Sequence, residues 1–165
     1  MKRIFVTIGT QVPFDRLISA MDEIVGQLNE SLTLHVFAQT VSSKYKPKNM
    51  EWTSFMSPSE FNRHLNEADL IVAHAGMGTI ISALTLDKPI IVLPRLLIHN
   101  EIRSDHQIST CRTFDKLKYV HVIYNESELK TKVEDILTEK IEGSLHKITN
   151  FASAELILSI KNELQ

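Results

Sequence analysis

The sequence predicts an α/β fold: a parallel sheet of about six strands with helices on both faces. Three observations predict it. Apolar runs of strand length alternate with longer stretches of helical period, as in a sheet whose strands are covered on both sides. Helix-start signals stand between those runs, and small or polar residues gather directly after them. The length, 165 residues, suits one domain with a substantial core.

The expected strands are 3–8 (RIFVTI), 32–38 (LTLHVFA), 50–55 (MEWTSF), 69–73 (DLIVA), 89–93 (PIIVL) and 119–123 (YVHVI). Between the first two, Phe14, Leu17, Ile18, Met21, Ile24 and Leu28 recur at steps of three and four, which predicts a helix over 14–28. Ser57, Pro58 and Glu60 form a capping box that opens the next helix. Asn125 and Glu128 repeat the signal before a helix over 126–140. The last residues, 143–165, have helical period but are apolar on too many sides. Leu145, Ile148, Ala152, Leu156, Ile160 and Leu164 form one stripe, and Phe151, Ile157 and Leu158 widen it. Such a helix either packs on its own sheet or buries a second face against another chain. The expected division is therefore a domain over 1–142 and a C-terminal helix over 143–165.

Composition narrows the function classes. A net charge of −2 gives no electrostatic case for nucleic acid as a partner. The single Cys111 excludes an intrachain disulfide framework and suits a reducing compartment. No run reaches the roughly 18 apolar residues of a membrane span, and MKRIFVTIGT reads as a first strand instead of a signal peptide. The expectation is a soluble, cytoplasmic chain.

In a doubly wound sheet, ligands lie beyond the carboxyl ends of the strands. Gly9 and Thr10 follow the first strand, where a glycine admits close backbone approach and a hydroxyl can donate to an anion; a plain tight turn is the alternative. After the fourth strand comes HAGMGTI (74–80). Gly76 and Gly78 bracket a helix start whose free N–H groups favour phosphate, with Met77 between them, Thr79 adding a hydroxyl and His74 a ring N–H. A Gly-x-Gly turn is also often geometry alone. After the fifth strand, nine of the fourteen residues in PRLLIHNEIRSDHQ (94–107) can hydrogen-bond through their side chains. His99, Asn100, Asp105, His106 and Gln107 offer what sugar hydroxyls need; an exposed polar loop capping a helix is the alternative. Their spacing matches no usual metal-ligand pattern, so no metal is expected. The chain has no P-loop, no G-x-S-x-G nucleophile elbow and no Asp-x-Asp metal anchor.

Taken together, GTQVPFDRLI (9–18), EADLIVAHAGMGTI (67–80), KPIIVLPR (88–95) and HNEIRSDHQ (99–107) resemble the donor-binding, C-terminal half of GT-B glycosyltransferases of family 28. The resemblance spans about residues 1–125 and is specific as a set. It implies a single Rossmann-like half of a split enzyme. The wording of HAGMGTI and HNEIRSDHQ is more similar to the small subunits of bacterial exopolysaccharide and capsule transferases than to the split N-acetylglucosamine transferases of asparagine-linked glycan assembly.

The resemblance implies roles. His74, Gly76, Gly78 and Thr79 would hold the UDP diphosphate, backbone near Phe55 and Met56 would meet the uracil edge, and Asp105, His106 and Gln107 would meet the donor sugar. Where related sequences often carry an acid for the ribose, this chain has Ser82. The implied function is the UDP-sugar-binding subunit of a two-component inverting glycosyltransferase acting on a polyprenyl-linked glycan, needing no cofactor. The acceptor site and general base would lie on a membrane-anchored partner, which would hold this chain peripherally at the cytoplasmic membrane face. The rival reading is a non-catalytic nucleotide-binding or assembly module that stabilises such a partner. A self-sufficient nucleotide-sugar epimerase is disfavoured by the absent dinucleotide fingerprint and the absent Tyr-x-x-x-Lys.

Overall fold

The computed structural model describes residues 1–29, 32–143 and 145. Its strands are β1 (Lys2–Thr7), β2 (Leu34–Gln39), β3 (Glu51–Thr53), β4 (Leu70–His74), β5 (Ile90–Leu93) and β6 (His121–Val122). Interleaved with them are the helices α1 (Asp15–Leu28), α2 (Pro58–Glu67), α3 (Met77–Thr85), α4 (His106–Lys116) and α5 (Leu129–Leu137). Every neighbouring pair of strands is parallel, in the order β3-β2-β1-β4-β5-β6. This is the Rossmann order, and its direction reverses between β1 and β4, which opens a crevice at their carboxyl ends. The register pairs Thr7 with Ala73, so His74 stands beside the loop that leaves β1.

Alternation along the strands feeds two cores. Ile4, Val6, Val36, Leu70, Val72, Ile91 and Leu93 face α1 and α5, while Phe5, Ile71, Ala73, Ile90 and Val92 face residues of α2, α3 and α4. Leu17, Ile18 and Met21 of α1 are fully buried, each contributing about 1.5–3 kcal/mol by leaving water. That burial fixes α1, and with it the loop that reaches the crevice.

Local signals set the element ends. Ser57 Oγ accepts from the Glu60 N–H (3.3 Å) and Glu60 Oε2 accepts from the Ser57 N–H (2.8 Å), so the capping box of α2 is formed. The box at Asn125 and Glu128 also forms, but it opens a 3-10 turn, Glu126–Glu128, that hands over to α5, and that helix ends at Leu137 instead of 140. Four expected strands shorten, β2 and β5 by one residue and β3 and β6 by three. β3 stops at Thr53, and β6 keeps only His121–Val122 because the Tyr119 N–H is drawn back to the Phe114 carbonyl at the end of α4. The expected C-terminal helix, and with it the proposed boundary at 143, falls on 144 and 146–165, outside the described residues apart from 143 and 145.

Candidate functional site

A cleft of about 1260 Å³ lies at the carboxyl end of the sheet, over the crevice between β1 and β4. The N-terminus of α3 opens into it through Gly76, which takes the N-cap position with extended dihedrals and has no side chain to satisfy the first N–H groups. The glycines here have separate causes. At Gly9 the backbone is left-handed (φ +76°), and a Cβ would come within 2.9 Å of His74 Cε1. At Gly76 a Cβ would collide with His74 Nε2. Both therefore make room for the His74 ring. Gly78 is different: a Cβ there would meet nothing within 4 Å, and its φ is not positive. Neither packing nor backbone conformation within the described chain requires a glycine at 78, and the space beside it opens on the cleft.

Electrostatics distinguish the cleft from the rest of the described surface. Among the described residues, the buried side-chain nitrogens and oxygens without a hydrogen-bond partner are His74 Nδ1 and Arg95 Nε, and both residues line it. Burial, and then the nearby Arg95 charge, push the His74 pKa down to about 4, with the Thr7 backbone opposing. The ring is neutral at pH 7, so it offers hydrogen-bonding capacity and no charge. Arg95, on the loop after β5, is 5% exposed. Its Nη2 donates to the carbonyls of Ile8 (2.7 Å) and Val12 (2.6 Å), and its guanidinium lies 5.2 Å from the Phe14 ring centroid. Burial lowers its pKa to about 10, with Glu101 acting in the other direction, so it stays charged at neutral pH.

The loop from β5 to α4 is braced from α1. Arg16 donates from Nε to Glu101 Oε1 and from Nη2 to Glu101 Oε2, each at 2.9 Å, and also from Nη2 to the Pro94 carbonyl (2.9 Å) and from Nη1 to Glu126 (2.9 Å). Glu101 Oε2 in turn accepts from the Leu96 N–H (2.9 Å). Within the loop, a 3-10 turn (Leu97–His99) ends on Asn100 in the left-handed region, which asparagine tolerates. The beginning of α4, His106 and Gln107, lines the cleft, so a second helix N-terminus opens there.

Of the residues singled out in the sequence, the cleft gathers Gly9, Thr10, His74, Gly76, Gly78 and Thr79, together with Asn100, His106 and Gln107. Five others do not line it. Phe55 is 69% exposed beyond β3, with its carbonyl accepting from Thr53 Oγ1 (2.9 Å), and Met56 is buried in the core with α2 and α3. Met77 is exposed on α3, so at that position only its backbone N–H is placed to act. His99 is exposed on the 3-10 turn, and the Asp105 carboxylate accepts from the Leu97 N–H (2.9 Å). Gln107 is 4% exposed, and its Oε1 accepts from the Arg95 N–H (2.9 Å), while its amide N–H groups remain to donate to a ligand. Ser82, half-buried on α3, is not part of the lining. Among the described residues, no three His, Cys, Asp or Glu side chains are grouped so as to hold a metal ion. The expectations passed over Arg95 and Glu101. The signal for Arg95 was present: it follows the apolar run PIIVL at the end of a strand, where ligand-facing residues are sought.

The family model described as "Glycosyltransferase family 28 C-terminal domain" matches residues 3–162. The chain belongs to this family. As a family 28 C-terminal domain, it is similar to "UDP-N-acetylglucosamine transferase subunit ALG13" of Candida albicans, with 30% identity over 115 residues that cover 70% of this chain and 38% of the relative. The mouse protein of the same name is 30% identical over 124 residues, covering 70% of this chain and 10% of that one. The chain thus spans well under half the length of these two relatives. A solution NMR structure of ALG13 superposes with a TM-score of 0.61 at 22% identity, covering 96% of this chain and 94% of that one. That likeness shows the Rossmann-like fold of the family 28 domain, shared with GT-B glycosyltransferases.

Proposed function

We propose that this family 28 domain is the UDP-sugar-binding subunit of a two-component inverting glycosyltransferase. The observation that carries the reading is the uncapped N-terminus of α3, where Gly78 leaves open space on the cleft that no packing within the described chain demands. Free N–H groups and the positive end of the helix dipole stabilise a diphosphate there. The names of the relatives, each a UDP-N-acetylglucosamine transferase subunit, support a UDP-sugar as donor.

In the proposed reaction an acceptor hydroxyl attacks the anomeric carbon, the bond from that carbon to the diphosphate oxygen breaks, and UDP departs with the electron pair. The subunit stabilises the negative charge growing on UDP through the Met77, Gly78 and Thr79 N–H groups, the Gly76 N–H being donated to the His74 carbonyl (2.8 Å), with the His74 ring as a neutral hydrogen-bonding group beside them. Asn100, His106 and the amide N–H groups of Gln107 are the candidates for the donor sugar. No cofactor or metal ion enters this scheme, since the helix terminus supplies the stabilisation. The acceptor, the general base that takes the hydroxyl proton and the membrane anchor belong to a partner chain. Among the described residues no helix is long and apolar enough to cross a membrane. The resemblance of HAGMGTI and HNEIRSDHQ favours a polyprenyl-linked acceptor in exopolysaccharide or capsule synthesis, at the cytoplasmic membrane face.

Reconstitution tests this. Transfer from a UDP-sugar to a polyprenyl-linked acceptor is expected only when this chain and a membrane-anchored partner are combined. It should be lost when residues 74–79 are altered in a folded chain. Transfer by the partner alone, or with a chain altered at 74–79, would make this subunit an assembly module.

A further inference from the structure

We infer that Arg95 supplies the standing positive charge of the cleft, selecting ligands that carry a diphosphate over uncharged ones and tying their binding to the order of the loop after β1. The inference rests on the nucleotide reading above and adds to it a residue that the α3 turn does not contain.

The argument begins with charge balance. A buried guanidinium is costly unless an anion offsets it, and structural arginines usually find a carboxylate. Among the described residues Arg95 has none within ion-pair distance, because both oxygens of Glu101, the acidic side chain of the same loop, are held by Arg16 at 2.9 Å. What holds Arg95 is neutral: the Ile8 and Val12 carbonyls and the Phe14 ring. Its Nε has no partner. The charge is thus fixed in place, dehydrated and unpaired, on the wall of a cleft that α3 enters by its positive end. The same charge, after burial, helps hold the pKa of the nearby His74 ring down. An anion seated on α3 would be the missing counter-charge. The carbonyls it holds flank Gly9, Thr10 and Gln11, so an anion that draws on Arg95 also bears on that loop.

A plain structural brace for Ile8 and Val12 would need only a neutral donor, and this separates the two roles. Calorimetry on the full chain would compare UDP with uridine for wild type, Arg95→Lys and Arg95→Gln. The glutamine variant keeps a donor for one carbonyl but no charge. Wild type should prefer UDP; Arg95→Gln should narrow the UDP-to-uridine ratio by about tenfold or more, the worth of a charge-assisted contact, while Arg95→Lys keeps most of it. A folded Arg95→Gln chain with the wild-type ratio overturns the inference. If neither variant folds, the Arg95 Nε–Hε signal of the wild-type chain decides by NMR. It should move with UDP and with inorganic pyrophosphate but not with uridine, and an unmoved signal overturns the inference. Were wild type to bind no UDP, the nucleotide reading would fall, and the pyrophosphate titration alone would settle the role of Arg95.

Discussion

The neutral, buried ring of His74 makes stability depend on pH in a definable window. Its folded pKa is about 4, against an ordinary 6.5. Between those values the unfolded chain binds more protons than the folded one. Stability from the neutral ring is therefore fully present above about 6.5, declines as pH falls, and is gone below about 4, a total of about 3 kcal/mol. Unfolding free energies measured across this window should fall more steeply in wild type than in His74→Asn; equal slopes would show that His74 is not the group responsible. Gln107 gives a second prediction on the same scale. Because its Oε1 accepts from the buried Arg95 N–H, Gln107→Ala should cost about 1–3 kcal/mol of stability, measurable by urea denaturation, in addition to any loss of sugar contact. A fully stable variant would mean that the Arg95 N–H is otherwise satisfied.

At the scale of elements, the clamp from α1 to the β5–α4 loop leaves a buried charge unpaired if one partner is removed. The Arg16 and Glu101 side chains are 12% and 9% exposed, and removing one partner of such a buried pair strands the other, at about 3–5 kcal/mol. Arg16→Met should show that loss by denaturation, and combining it with Glu101→Gln should recover part of it, since the two residues couple. Simple addition of the two losses would mean that the pair does not act as a unit. This clamp also marks the limit of what the sequence discloses. The α2 start was legible because a capping box is local, and the strands were legible because burial on both faces writes itself as apolar runs. The position of the turn at 74–79 beside the cleft was legible because its six consecutive residues directly follow a strand. Whether Glu101 pairs with Arg95, six residues before it, or with Arg16, 85 residues away, depends on tertiary contact alone, and so the unpaired charge of Arg95 was not. Phe55, His99 and Asp105 do not line the cleft for a related reason: the rule that residues after strands face the ligand gives position along the chain, and not the direction in which a side chain leaves it.

On the scale of the whole molecule, the order β3-β2-β1-β4-β5-β6 puts the crevice, the uncapped helix and the braced loop at the carboxyl end of the sheet, and the central claim is that a diphosphate sits there. Gly78 tests it most directly, because stability and binding are expected to respond with opposite signs. With open space at the Cβ position and a helical backbone that alanine adopts freely, Gly78→Ala should stabilise the free chain by about 0.4–1 kcal/mol, chiefly by restricting the unfolded state. The added methyl would occupy space that the proposed phosphate needs, so UDP affinity should fall, and Gly78→Val should abolish it in a chain that still folds. The deciding measurement is calorimetric titration of UDP into wild type, Gly78→Ala and Gly78→Val, with circular dichroism melts on the same samples. The expected result is graded loss of UDP binding in folded variants, with the alanine chain melting above wild type. Wild-type UDP affinity in a folded Gly78→Val chain would contradict the diphosphate site.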